Sequence, residues 1–263
     1  MLHIRLTALL GAISAIATTL VLAAPAHAVA VPGQGTWQST LQPRDINGDG
    51  TVDAFYDTAL NITWLANANA GAASSFDNGF STTDGAMTWA NAKNWAASLN
   101  VYGNTGWRLP TMIDTGASGC DFSNAGGTDC GYNVQTKSGA TVYSEIAHLY
   151  YVALGNKAYC KPGSASCVEQ PGWGLTNTGG FSNLQDFGYW SGVPYAPSHL
   201  VDAWLFYTGY GLQGVGGQSD ELFALAVRPG DVTGAVLRVP EPQTLAMVLL
   251  ALGAVTVVRR RAL

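Results

Sequence analysis

Residues 88–111 constrain the fold more than any other stretch of the chain. Trp89, Ala92, Ala96 and Leu99 recur at offsets of three and four, so a helix here carries one apolar stripe, with Asn91, Asn94 and Ser98 turned away from it. Thr88 stands where an N-cap belongs. Residues 100–106 break the period, Trp107 and Leu109 then alternate with Arg108 as in a strand, and Pro110 ends ladder pairing. Helix, turn and short strand in close succession make this stretch the hinge of the fold.

A Trp-Ala-x-Ala helix at Trp89, followed by a loop and by Trp107, Arg108, Leu109, Pro110 and Thr111, resembles the central signature of the Lcl C-terminal-like domain family. Three further segments agree with it: residues 57–64 (Asp-Thr-Ala-Leu-Asn-Ile-Thr-Trp), 189–192 (Tyr-Trp-Ser-Gly) and 226–230 (Ala-Val-Arg-Pro-Gly). The resemblance covers residues 44–232. It implies a bacterial extracytoplasmic α+β domain, similar in broad shape to C-type lectin-like folds, and says little about chemistry.

The chain ends carry the address. An apolar run over residues 6–24 follows Arg5, and Ala26-His27-Ala28 has the small-x-small form that signal peptidase cuts, so residues 1–28 read as a signal peptide cleaved after Ala28. The alternative is an uncleaved N-terminal anchor. At the other end, Pro240, Glu241 and Pro242 lead into an apolar run over residues 245–258, and Arg259, Arg260 and Arg261 follow. Fourteen residues at about 1.5 Å each reach about 21 Å, short of the roughly 30 Å hydrocarbon core. Such a tail serves transient insertion in the inner membrane, with the arginines held on the cytoplasmic side. The order Pro-Glu-Pro, short apolar helix, basic end resembles a PEP-CTERM sorting signal over residues 233–263. That resemblance implies processing by an exosortase in a Gram-negative bacterium that makes exopolysaccharide; an ordinary tail anchor is the alternative.

With both signals removed about 210 residues remain, the size of one domain with insertions. Residues 29–43 read as a lead-in with Trp37 tucked against the core. Residues 29–240 hold eight Lys or Arg against sixteen Asp or Glu, a net charge of −8. That surface repels nucleic acid and attracts cations. Cys120, Cys130, Cys160 and Cys167 make an even set in an exported chain and allow three pairings. Nearest-neighbour pairing is expected, because each pair brackets a polar, turn-rich loop that closure would order.

Asp45, Asn47, Asp49 and Asp53 match positions 1, 3, 5 and 9 of a calcium loop, with Gly50 at the sharp turn. Position 12 is Tyr56, with Asp57 one place late, and no helix pattern flanks the loop, so the expectation is a smaller Ca²⁺ turn of modest affinity and not an EF-hand. A plain Asp/Asn turn that caps its own backbone is the alternative. Residues 54–66 read as a hairpin turning at Asp57-Thr58. Tyr143, Ile146, Ala147, Tyr150, Tyr151 and Leu154 mark a second helix stopped by Gly155, with Glu145 and His148 expected on its surface side. Strands are expected over residues 187–193, 203–207 and 222–227, the last apolar on both faces and therefore placed centrally in the sheet. The fold class is α+β, an antiparallel or mixed sheet with two main helices and long disulfide-closed loops.

Nothing in the sequence has the form of a common hydrolase site. Gly-x-Ser-x-Gly, His-Glu-x-x-His and Gly-x-x-x-x-Gly-Lys are absent, and the expectation is that the chain is not an enzyme. What it has in excess is aromatic residues among small amides and carboxylates: Trp173, Trp190, Tyr195, Trp204, Tyr207 and Tyr210 beside Asn177, Asn183, Gln185, Asp186, Asp202 and Gln213. Sugars are bound by that combination, rings stacking on the pyranose face and planar polar groups taking its hydroxyls. Trp190 and Trp204 are the candidate platforms, Gln185 and Asp186 the hydroxyl partners, and a glycan or exopolysaccharide the expected partner. Trp64, Trp89 and Trp107 are assigned to the core, with Arg108 as a carboxylate's ion-pair partner. A purely structural matrix domain and an undetected carbohydrate hydrolase are the alternatives.

One outcome of processing is directly measurable. Intact mass of the protein from producing cells is expected to lack residues 1–28 and everything after about Pro242; recovery of the Arg259-Arg260-Arg261 end in the extracellular form overturns the sorting reading.

Overall fold

Two antiparallel ladders organise the described residues, 29–79, 81–116, 129–232 and 235–236 of this computed structural model. After one helical turn, α1 (Trp37–Thr40), the chain runs through β1 (Leu41–Asp45), β2 (Ala54–Asp57) and β3 (Ile62–Leu65) as a meander. Then follow α2 (Trp89–Ser98), the small hairpin β4 (Lys137–Ser138) and β5 (Thr141–Val142), and α3 (Glu145–His148), which continues as a π-helical turn over Leu149–Ala153. The remaining strands are β6 (Gly188–Pro194), β7 (Asp202–Tyr207), β8 (Leu212–Gly217), β9 (Val227–Pro229) and β10 (Ala235–Val236). One sheet has the order β10-β1-β2-β3-β9 and a second the order β6-β7-β8, every pairing antiparallel. Antiparallel sheets with a few short helices are the α+β class expected.

The β2–β3 hairpin turns where its sequence says. Asn61 adopts the left-handed conformation that Asn tolerates (φ 55°) and donates its N–H to the Asp57 carbonyl at 2.8 Å. The Asp57 side chain points inward and caps the same turn, accepting from the N–H groups of Ala59 and Leu60 and from Trp64 Nε1. It is fully buried. The helix expected over residues 89–99 is α2, and Trp89, Ala92, Trp95 and Ala96 are its buried face. Thr88 takes the N-cap position but makes no capping bond through its side chain.

Residues 222–227 were expected in the middle of a sheet, and they are not there. They form a strap between the two sheets: Leu222 bridges Met87, Phe223 bridges Tyr189 of β6, and the chain then enters β9 at the edge of the five-stranded sheet. The apolar pattern has a clear physical reason. Leu225 and Val227 pack into a cluster with Trp64, Tyr150, Tyr189 and Phe206, while Leu222, Ala224 and Ala226 pack into another with Trp89, Trp107, Leu109 and Trp190. Each face of the strap serves a different core.

Trp107 and Leu109 are buried as expected, but the strand expected around Arg108 is a single bridge to Val227, with N–H···O distances of 2.7 and 2.8 Å in the two directions. The Arg108 guanidinium makes a two-pronged ion pair with Glu145, each N···O at 2.7 Å. Glu145 Oε2 also accepts the Thr111 N–H at 2.7 Å. Glu145 and His148, expected on the surface, are therefore corrected to buried positions at 6% and 5% exposure. All four residues of α3 are buried, and Thr36 of the lead-in closes the end of the following π-helical turn by donating to the Ala153 carbonyl, so α3 has no surface face for them to occupy. The lead-in is ordered more than its composition suggests, and β1 begins inside it at Leu41. The Gly-rich strand β8 carries no apolar alternation and was not legible in the sequence.

Removing one partner of the Arg108–Glu145 pair leaves a charge and the Thr111 N–H without their partner. Glu145→Ala is expected to destabilise the protein by about 3 kcal/mol, the low end for a buried pair because the Arg108 side chain is one-third exposed. For a chain of this size that lowers the melting temperature by roughly 6 to 12 °C, measurable by calorimetry; a change under about 2 °C overturns the assignment.

Candidate functional site

The expected calcium loop lies at the end of β1. Asp45 Oδ1 accepts the N–H of Gly48 at 2.7 Å and its Oδ2 that of Gly50 at 2.8 Å, while Asp53 Oδ2 accepts that of Ile46 at 2.7 Å. Asn47 Nδ2 donates to Asp49 Oδ2, and the Asp49 N–H to Asn47 Oδ1. Hydrogen bonds from Thr51 hold the exposed Asp49 carboxyl below its usual range. The four side chains thus fold the turn around themselves. Among the described residues no group of three or more His, Cys, Asp or Glu side chains is disposed to hold a metal. Asp57 offers nothing to a ligand here, since it is buried in the β2–β3 turn.

The candidate platforms are core residues. Trp190 is wholly buried and donates Nε1–H to the Met87 carbonyl; Trp204 is 1% exposed and donates to Asp114 Oδ2 at 2.7 Å, with Tyr195 edge-on against it. Neither ring has a face open to a sugar. Two of the amides are internal as well: Asn177 accepts from Val31 and Gly179 and donates to Leu154 and Gln34, and Gln213 is bonded to Ser144 and Asp129. Gln185 holds the chain before β6, its N–H donated to Tyr189 Oη and its Nε2 to the Asn183 carbonyl.

A different set of aromatic residues is at the surface, and three segments bring it together. Residues 157–160 and 169–174 run antiparallel, bridged at Lys157 to Gly174 and Cys160 to Glu169, and the Cys160–Cys167 disulfide closes the loop between them. Gln170 Nε2 donates to the carbonyls of Ala158 and Cys160 and braces the same arm. The arm docks on the turn between β7 and β8, where the Tyr159 N–H donates to the Tyr210 carbonyl at 2.7 Å. Closing a loop this short contributes about 2 to 3 kcal/mol in the chain-entropy model. Cys130 is also disulfide-bonded; its expected partner Cys120 lies outside the described residues.

On this frame Trp173 stacks on Tyr210 with centroids 5.6 Å apart and planes 13° from parallel, and Tyr159 stands edge-on to Trp173 at 4.8 Å. Tyr132 extends the group at one end, Tyr207 and Phe187 at the other. Tyr210 is 48% and Phe187 39% exposed, and the rest are half-buried. Glu169 accepts Trp173 Nε1–H at 2.9 Å, and the Asp186 carboxylate lies against Gly209, beside Tyr210. So Asp186 sits by an aromatic surface, though not by the rings first assigned to it. Sequence reasoning named Trp173, Tyr207 and Tyr210 but missed Tyr132, Tyr159 and Phe187; the available signal was Tyr159 directly preceding a disulfide cysteine.

Burial raises the hydroxyl pKa of Tyr132 and of Tyr207, and neighbouring ring hydroxyls, with Asp220 for Tyr207, add to it. In the core beneath, burial pushes Tyr150, Tyr151 and Tyr189 far above the usual phenol range. Elsewhere burial holds His148 below its usual range and Asp57 above it, the two opposing each other's shift.

Comparison with known families adds one finding. Residues 238–262 match the PEP-CTERM protein-sorting motif. The motif implies an exported protein held at the membrane before processing by an exosortase. It lies outside the described residues, as do Ala28, Pro240, Glu241, Pro242, Arg259, Arg260 and Arg261. No described helix is long and apolar enough to cross a membrane. Comparison with curated proteins and with solved structures gives no match, so the C-type lectin-like shape rests on the family resemblance alone.

The core tyrosines set a pH limit. Their protons are kept in the folded state and lost from the unfolded state above its ordinary value of about 10, so the stability they contribute is present below that pH and falls as pH rises through it. Denaturant titrations are expected to show constant stability from pH 8 to 9 and a decline above about 10, approaching about 4 kcal/mol per pH unit for three such groups. Stability that stays level from about pH 9 through pH 11 overturns this.

Proposed function

We propose that the chain is an exosortase-processed surface protein whose domain binds a neutral glycan of the exopolysaccharide type on the Tyr159, Trp173 and Tyr210 cluster. The observation that carries the reading is the Trp173–Tyr210 stack, half-open to solvent and held by a disulfide-closed arm. Flat, preorganised rings bind the apolar face of a pyranose at low entropic cost, and the Asp186 and Glu169 carboxylates stand beside them to accept sugar hydroxyls. A net charge of −8 over residues 29–240 favours neutral chains over uronic or sulfated ones, which would need calcium as a bridge.

The resemblance to the Lcl C-terminal-like family supports treating residues 44–232 as one extracytoplasmic domain. Its quoted segments meet around the strap: β3 pairs with β9, Arg108 bridges Val227, and Tyr189 bridges Phe223.

The test is retention on exopolysaccharide of the producing cells, read together with thermal melts. Trp173→Ala and Tyr210→Ala are each expected to weaken retention about tenfold, the worth of one stacking contact of about 1.4 kcal/mol, with melts shifted little. Trp190→Ala is expected to lower the melting temperature by roughly 6 to 20 °C, as a core tryptophan truncation should. Unchanged retention in both the Trp173 and Tyr210 variants overturns glycan binding at this cluster and favours a structural matrix domain.

A further inference from the structure

The long connection between β3 and α2 holds two buried oxygen atoms that no hydrogen-bond donor reaches, Asn69 Oδ1 and Asp77 Oδ1. Asp77 is 5% exposed. Its other oxygen, Oδ2, accepts the N–H of Ala73 and of Gly85, both at 2.9 Å. Asn69 spends its Nδ2–H on the Asp84 carbonyl at 2.9 Å, which leaves the carboxamide oxygen turned the other way. Gly85 brings the two residues together: its N–H is on Asp77, and a Cβ at this position, where φ is +88°, would strike the Asn69 side-chain oxygen. The two side chains thus meet at one backbone position, Asp77 through its bonded Oδ2 and Asn69 through its free Oδ1.

Two acceptors without a donor call for a positive partner. The ion pairs formed among the described residues are Arg44 with Asp231 and Arg108 with Glu145, so no arginine or lysine in them serves Asp77. We propose that Asn69 Oδ1 and Asp77 Oδ1 are ligands of a Ca²⁺ ion that closes this connection, distinct from the Asp45 to Asp53 loop. Calcium takes carboxylate, amide and backbone carbonyl oxygens in flexible geometry, and weak sites are the rule in extracellular modules. The site also bears on α2. Asn91 of that helix donates to the Phe76 carbonyl, and the Thr88 N–H to Asn78 Oδ1, so fixing this loop fixes the start of α2.

The test uses the processed protein, melted in chelator and in about 10 mM CaCl₂. For a site of about 0.1 to 1 mM affinity, calcium is expected to raise the melting temperature by roughly 3 to 10 °C. The rise should survive in Asp49→Ala and vanish in Asp77→Asn, whose amide can instead donate to Asn69 and melts normally in chelator. Asn69→Asp, which adds a carboxylate ligand, should enlarge the rise. Identical melts with and without calcium overturn the proposal and leave a water bridging the two oxygens. A rise lost in Asp49→Ala and kept in Asp77→Asn also overturns it and assigns the calcium to the Asp45 to Asp53 loop.

Discussion

The Arg108–Glu145 pair is the interaction on which the rest of the structure depends. Its two parallel N–H···O⁻ bonds join the segment after α2 to the first turn of α3, and both backbones take part: Glu145 donates its N–H to the Thr111 carbonyl while its side chain accepts the Thr111 N–H. Arg108 reaches a third element through its own backbone, exchanging hydrogen bonds with Val227. One residue therefore fixes a helix, a hinge and the strap between the sheets. The planar fork of arginine is suited to this, since a lysine could not hold both carboxylate oxygens at fixed angles.

From that junction the two cores follow. The strap over residues 222–227 sends alternate side chains into opposite clusters, so neither sheet can shift without disturbing the other. Many of the large rings are consumed in this way, with Trp64, Trp190, Tyr150, Tyr189 and Phe206 among the most fully buried side chains, while Trp204 lies in a smaller cluster with Met112, Cys130 and Tyr195. With so few charged residues, buried polar order comes from side-chain amides and carboxylates bonding to backbone, as Asn177, Asp57 and Asp45 all do.

The surface left for function is peripheral and stapled. The Cys160–Cys167 arm contributes little to either core, yet it places Tyr159 and Trp173 against the turn that carries Tyr210. An arm held by a covalent closure and a few hydrogen bonds suits an exported protein, which meets oxidising surroundings after translocation. The sorting motif belongs to export, and the aromatic cluster to the folded domain that export delivers.

Local signals in the sequence determined the parts of this protein that depend on near neighbours. The sorting tail, α2 with its apolar stripe, the β2–β3 hairpin, strands β6 and β7, and the Cys160–Cys167 closure were all legible, because periodicity, turn residues and short spacing act within a few residues. Tertiary structure alone decided which rings face water. Trp190 and Trp173 are chemically alike in sequence, but one lies on a strand between two cores and the other on a disulfide arm, and only the packing of distant segments separates them. The same holds for Glu145, whose burial depends on an arginine 37 positions away, and for the side chains of Asn69 and Asp77, which meet at Gly85 only because that residue has no Cβ to displace the Asn69 carboxamide.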